Sequence, residues 1–217
     1  MYMTALQKLG LTIGVLAIVG VGVYMVFYRG AAGPGSGPQA ATSTPNGAAT
    51  STNPSAGLTL STPDYKKPIA FSAGTSVDIR AQLNASLKLV QAQLDKNPLD
   101  IKAWVDLGTL HKMGGDYRLA AEYWEYLTSS YSGTGTPYYS LGDLYQNFIK
   151  DYAKAEANYL LAVKVQPANV DAYASLYTMY HHTLGDDIKA AAILEQGLKA
   201  NPGNNYLLSL QAELRGN

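Results

Sequence analysis

Between residues 101 and 204 the chain repeats itself with a period of 34 to 35 residues. Trp104, Tyr138 and Tyr173 lead the three copies, as Trp104-x2-Leu107-Gly108-x2-His111, Tyr138-x2-Leu141-Gly142-x2-Tyr145 and Tyr173-x2-Leu176-Tyr177-x2-Tyr180. The second half of each copy reads Ala120-x3-Trp124-x2-Leu127, Ala155-x3-Tyr159-x2-Ala162 and Ala190-x3-Leu194-x2-Gly197. Spacings of three and four place these residues on one face of a helix. A fixed period of this length means stacked helical units, none of which can bury its apolar face alone. The chain is therefore expected to be all-α over this region.

The pattern resembles the tetratricopeptide repeat, whose consensus runs W-x2-L-G-x2-Y, then A-x3-F, then P. The resemblance implies a right-handed helix-turn-helix solenoid of about eight helices over residues 77–217. Its repeats fall at 101–134, 135–169 and 170–204, between an N-terminal capping helix at 77–96 and a C-terminal one at 205–217. Asp116, Asp151 and Asp186 stand where a second helix begins and can cap its free N–H groups. Gly114 and Gly185 suit a left-handed stop to the helix before. Pro98, Pro167 and Pro202 punctuate the units. Three departures stand out. Tyr177 replaces a small residue, and Gly197 on the facing helix suggests a compensating large–small exchange. The second and third repeats carry one extra residue, expected in their internal turns. Ser132 replaces the proline that should close the first repeat.

The N-terminal third is different in kind. Residues 9–28 hold no charge between Lys8 and Arg29. As a helix this stretch rises about 30 Å, the thickness of a hydrocarbon core, and reads as a single transmembrane helix behind a short tail at 1–8. Residues 29–76 contain six of the ten prolines amid Gly, Ser, Thr and Ala. They read as a disordered linker with too few large apolar side chains to offset the entropy of ordering. The zero net charge conceals opposite halves. Residues 1–76 carry Lys8, Arg29, Lys66 and Lys67 against Asp64, whereas 77–217 carry twelve basic and fifteen acidic residues. Neither balance suits nucleic acid. The positive-inside rule leans towards a cytoplasmic N-terminus and an extracytoplasmic repeat domain.

No nucleophile elbow, zinc-protease helix or phosphate-binding loop occurs, and the absence of cysteine removes thiolate metal sites and cysteine nucleophiles. The chain is thus expected to be neither an enzyme nor a cofactor protein. Metal binding at His181-His182 is not expected, because neighbours on a helix point about 100° apart. Most of the thirteen tyrosines after residue 77 occupy packing positions of the repeat. In the tetratricopeptide family the first helix of each repeat faces a peptide-binding groove. The resemblance then nominates Val105, Thr109, Lys112, Tyr139, Asp143, Gln146, Thr178, His181 and His182. The Lys/Arg/Asn clamp by which some members hold a C-terminal carboxylate is missing, since Val105, Thr109, Ser140, Asp143, Asp171 and Ser175 stand in its place. The expected role is a membrane-anchored interaction scaffold that binds a peptide or partner helix. One alternative is a self-associating assembly subunit. Another follows from the run at 89–127, which is similar to the opening of the repeat domains of bacterial cytochrome c maturation proteins and implies apocytochrome binding.

Overall fold

The computed structural model describes residues 61–216. The tail at 1–8, the span expected at 9–28, the linker as far as residue 60, and Asn217 lie outside the described residues. Among the described residues there are eight α-helices and no strand. No helix among them is long and apolar enough to cross a membrane.

The helices are α1 (Val77–Lys96), α2 (Ile101–Gly114), α3 (Tyr117–Ser130), α4 (Gly135–Leu144), α5 (Tyr152–Val165), α6 (Val170–Thr178), α7 (Asp187–Ala200) and α8 (Asn205–Gly216). Each packs on the next along the chain, and α8 also touches α6. Their starts are chemically marked. Asp100, Asp116, Asp151 and Asp186 accept from the N–H three residues on, at 3.1, 3.4, 3.1 and 2.9 Å. Ser76, Asn169 and Asn204 do the same for α1, α6 and α8. Such caps satisfy N–H groups that have no partner within the helix.

The extra residue of the second and third repeats is not in a longer turn. All three intra-repeat connections are two residues: Gly115-Asp116, Lys150-Asp151 and Gly185-Asp186. The surplus is absorbed upstream, where α4 and α6 widen into π-type turns at Tyr145–Ile149 and Met179–Leu184. The backbone shows why. The capping aspartate's N–H donates to His111, Tyr145 or Tyr180, which are equivalent positions of the three repeats, at 2.8, 3.0 and 2.8 Å. Widening the helix keeps that closure while accommodating one more residue. The left-handed residue of each connection is Gly115 (φ 90°), Lys150 (φ 65°) and Gly185 (φ 66°). Gly115 therefore takes the role expected of Gly114, and Lys150 adopts a conformation usually left to glycine.

Close helix approach in the first two repeats depends on a glycine under an aromatic ring. A Cβ on Gly108 would stand 2.4 Å from Trp124 Nε1, and one on Gly142 would stand 2.5 Å from Tyr159 Cδ1. In the third repeat the sizes reverse. Tyr177 occupies the glycine position, Leu194 the position of Trp124 and Tyr159, and both are fully buried. The compensating partner of Tyr177 is thus Leu194 by register. Gly197, expected in that role, instead admits Tyr173 and Leu207, whose atoms lie 2.9 and 3.1 Å from where its Cβ would be.

The stretch expected to be linker through residue 76 is packed for much of its described length. Ile69 is buried, and a Cβ on Gly114 would lie 2.2 Å from its Cγ2. Tyr65 meets the Trp104 ring edge-on at 5.8 Å. Tyr123 Oη donates to the Asp64 carbonyl at 3.0 Å, and Ser72 N–H donates to the Gly114 carbonyl at 2.8 Å. Lys66 pairs with Asp95 of α1, and Lys67 with Glu122 of α3. An extended strap needs few apolar residues, because it borrows a core from the helices it crosses.

Candidate peptide-binding face

Four of the inner-helix residues nominated from the repeat register fall into two sets. In the first, Lys112 of α2 reaches Asp143 of α4, with Nζ 2.7 Å from Oδ2. Asn147 Nδ2 donates to the other carboxylate oxygen at 2.7 Å. The Lys112 ammonium also lies 5.4 Å from the centre of the Phe148 ring and 6.0 Å from that of Trp124. Phe148 is 39% exposed and rests against Tyr117 at 5.0 Å. This gives a half-buried charge pair, an amide and an open aromatic ring across the joint between two repeats. Sequence reasoning missed Asn147 and Phe148, because both lie on the widened turn, where α-helical offsets no longer apply.

Other nominees serve the frame. Thr109 Oγ1 bonds back to the Val105 carbonyl at 2.9 Å, and Trp124 Nε1 donates to the same carbonyl at 3.2 Å. Gln146 is buried, with its Oε1 making no hydrogen bond among the described residues. Tyr139 is half-buried, its ring 5.8 Å from that of Tyr159. Thr178 is exposed.

The second set is His181 and His182 on the Met179–Leu184 turn. Their ring centres are 4.6 Å apart, so the two imidazoles approach each other rather than diverge. His181 Nδ1 engages Asp187, and His182 Nε2 lies 3.2 Å from Glu213 Oε1 on α8.

Both joints between repeats follow one rule. Tyr145 and Tyr180 donate to carboxylates on the helix of the preceding repeat, Glu125 at 3.0 Å and Glu156 at 2.8 Å. Burial first, then those carboxylates, push both phenols above their ordinary range. At the equivalent position of the first repeat stands His111, which has no repeat before it. Its Nδ1 pairs with Asp116 at 3.1 Å, and Asp116 also accepts from Ala70 N–H of the strap at 3.3 Å.

Burial holds the His111 imidazole below its ordinary pKa, and Asp116 opposes only part of that. The unfolded chain therefore takes up this proton first as pH falls. The His111 contribution to stability is complete above about pH 6.5 and shrinks below it, by at most about 1.4 kcal/mol per pH unit. Urea denaturation of the full chain across this window is expected to show the loss. His111→Phe should flatten it, and an unchanged slope would contradict the assignment.

Residues 136–169 match the family model for the tetratricopeptide repeat. A comparison with characterised proteins finds no match to the chain. The matched window holds nearly all of α4, its widened turn and α5, together with the Gly142–Tyr159 contact. It therefore coincides with a unit that has close counterparts in α2–α3 and α6–α7. Residues 136–169 therefore carry a tetratricopeptide repeat.

Proposed function

We propose that this chain is a membrane-anchored interaction module that binds an extended peptide or a helix of another polypeptide across α2 and α4. Tetratricopeptide repeats generally act by binding other proteins, and the single observation that carries the site is the Lys112–Asp143–Asn147 cluster beside the open Phe148 ring. Charge, amide and aromatic groups together can grip both the backbone and a side chain of a peptide. The chain acts by binding rather than by catalysis. Residues 9–28 anchor it, and residues 29–60 tether a repeat domain on the extracytoplasmic side. Protease accessibility in intact cells tests that topology, and complete protection of the repeat domain would reverse it.

Selection of displayed random peptides on the full chain tests the binding face. Enriched peptides should lose about tenfold or more in affinity with Lys112→Glu or Phe148→Ala, the size of effect a contact residue gives. No enrichment, or binding indifferent to both variants, would refute the face. Self-association is the second reading, favoured by α8, which fully buries only Leu207 and leaves Tyr206 52% and Leu208 43% exposed. Sedimentation of the full chain in detergent separates the two readings. The apocytochrome-binding reading rests on the resemblance at residues 89–127 alone.

A further inference from the structure

The grouping of the two histidines with Glu213 has a use that helix packing does not require. One ligand atom each from His181, His182 and Glu213 falls within 4.8 Å of the others. Zinc holds nitrogen and oxygen ligands at about 2.0–2.1 Å, which sets tetrahedral neighbours about 3.3 Å apart. The 3.2 Å between His182 Nε2 and Glu213 Oε1 is already that spacing. Closing the set needs shifts of about 1.5 Å or less. An α-helical turn would direct the two neighbouring imidazoles apart, but the widened Met179–Leu184 turn brings their ring centres to 4.6 Å.

We propose that His181, His182 and Glu213 form a binding site for a zinc-class divalent ion. Two imidazoles and one carboxylate suit zinc and its neighbours in the first transition row, whereas magnesium and calcium require mostly oxygen ligands. The supporting shell is present. Asp187 engages Nδ1 of His181, the kind of carboxylate partner that orients a metal-bound imidazole. The Tyr177 ring stacks on His181 at 5.4 Å and meets His182 edge-on at 5.9 Å, giving the pair a rigid floor. Three protein ligands leave one coordination position for water or for a donor from a partner. The ion joins the last repeat to the terminal helix, since Glu213 lies on α8 and both histidines follow α6. That helix fully buries one residue, Leu207, so a cross-link there has a large effect on how firmly it is held.

Zinc titration of the full chain, held in detergent and free of any polyhistidine tag, tests the proposal. The expected result is one equivalent bound at micromolar affinity or better, with a rise in Tm of about 5–10 °C at hundredfold excess over Kd. His182→Ala and Glu213→Gln should each weaken binding at least about tenfold and remove most of the Tm rise, while metal-free Tm stays close to that of the parent. His111→Phe, the change to the remaining histidine, should bind as the parent does, and excess magnesium or calcium should not displace zinc. Absence of saturable binding overturns the proposal. So does a Tm rise that survives in both His182→Ala and Glu213→Gln.

Discussion

Placing a tyrosine at Gly108 is expected to destabilise the first repeat by more than the roughly 1–3 kcal/mol usual for overpacking. Even a single added methyl would stand 2.4 Å from Trp124 Nε1. The same chain with Trp124→Leu as a second change should recover part of that loss. Gly108→Tyr with Trp124→Leu reproduces the pair that the third repeat uses, Tyr177 with Leu194. Trp124→Leu alone should be costly, since it opens a void under a ring that is 1% exposed. A double-mutant cycle by urea denaturation reads the coupling directly, and an interaction energy of about 1 kcal/mol or more is expected for residues in contact. Strict additivity of the two single changes would mean that the exchange in the third repeat is not compensatory.

Removal of the strap has the second large effect. A chain beginning at residue 77 keeps all eight helices of the described region but loses Ile69, Tyr65, Phe71 and the hydrogen bonds from Tyr123 and Ser72. Losing the Ile69 side chain alone corresponds to about 2–5 kcal/mol on the scale of large-to-small core changes. Compared with a chain beginning at residue 61, the shorter one should lose at least about 3 kcal/mol. That amounts to a Tm lower by roughly 6–12 °C for a domain of this size. Equal melting temperatures would show that the strap rests on the helices without supporting them. His111 would feel the same truncation, because its partner Asp116 then loses the Ala70 N–H.

Much of the fold is legible because tetratricopeptide packing uses residue size at fixed offsets. Trp104, Gly108, Trp124 and their counterparts announce helix pairs, and Asp116, Asp151 and Asp186 announce where second helices begin. Lys150 shows a limit of that reading. A left-handed turn residue is recognisable when it is Gly115 or Gly185, and unmarked when closure of the turn imposes it on a lysine. The extra residue of the later repeats was countable, but its place was not, because a π-type turn has no strong composition signal. That uncertainty spread to the site. Asn147, Phe148, His181 and His182 all lie in or beside widened turns, where α-helical angles misdirect them. The strap escaped notice for another reason: Tyr65, Ile69 and Phe71 are too sparse to form a core, and they need none of their own.

Hydrogen exchange on the full chain, with and without a selected peptide, tests the binding face most directly. Protection should rise along α2 near Val105 to Lys112 and along α4 near Tyr139 to Gln146, the helices joined by Lys112 and Asp143. Protection confined to α3, α5 and α7, or unchanged exchange throughout at saturating peptide, would contradict binding at this face.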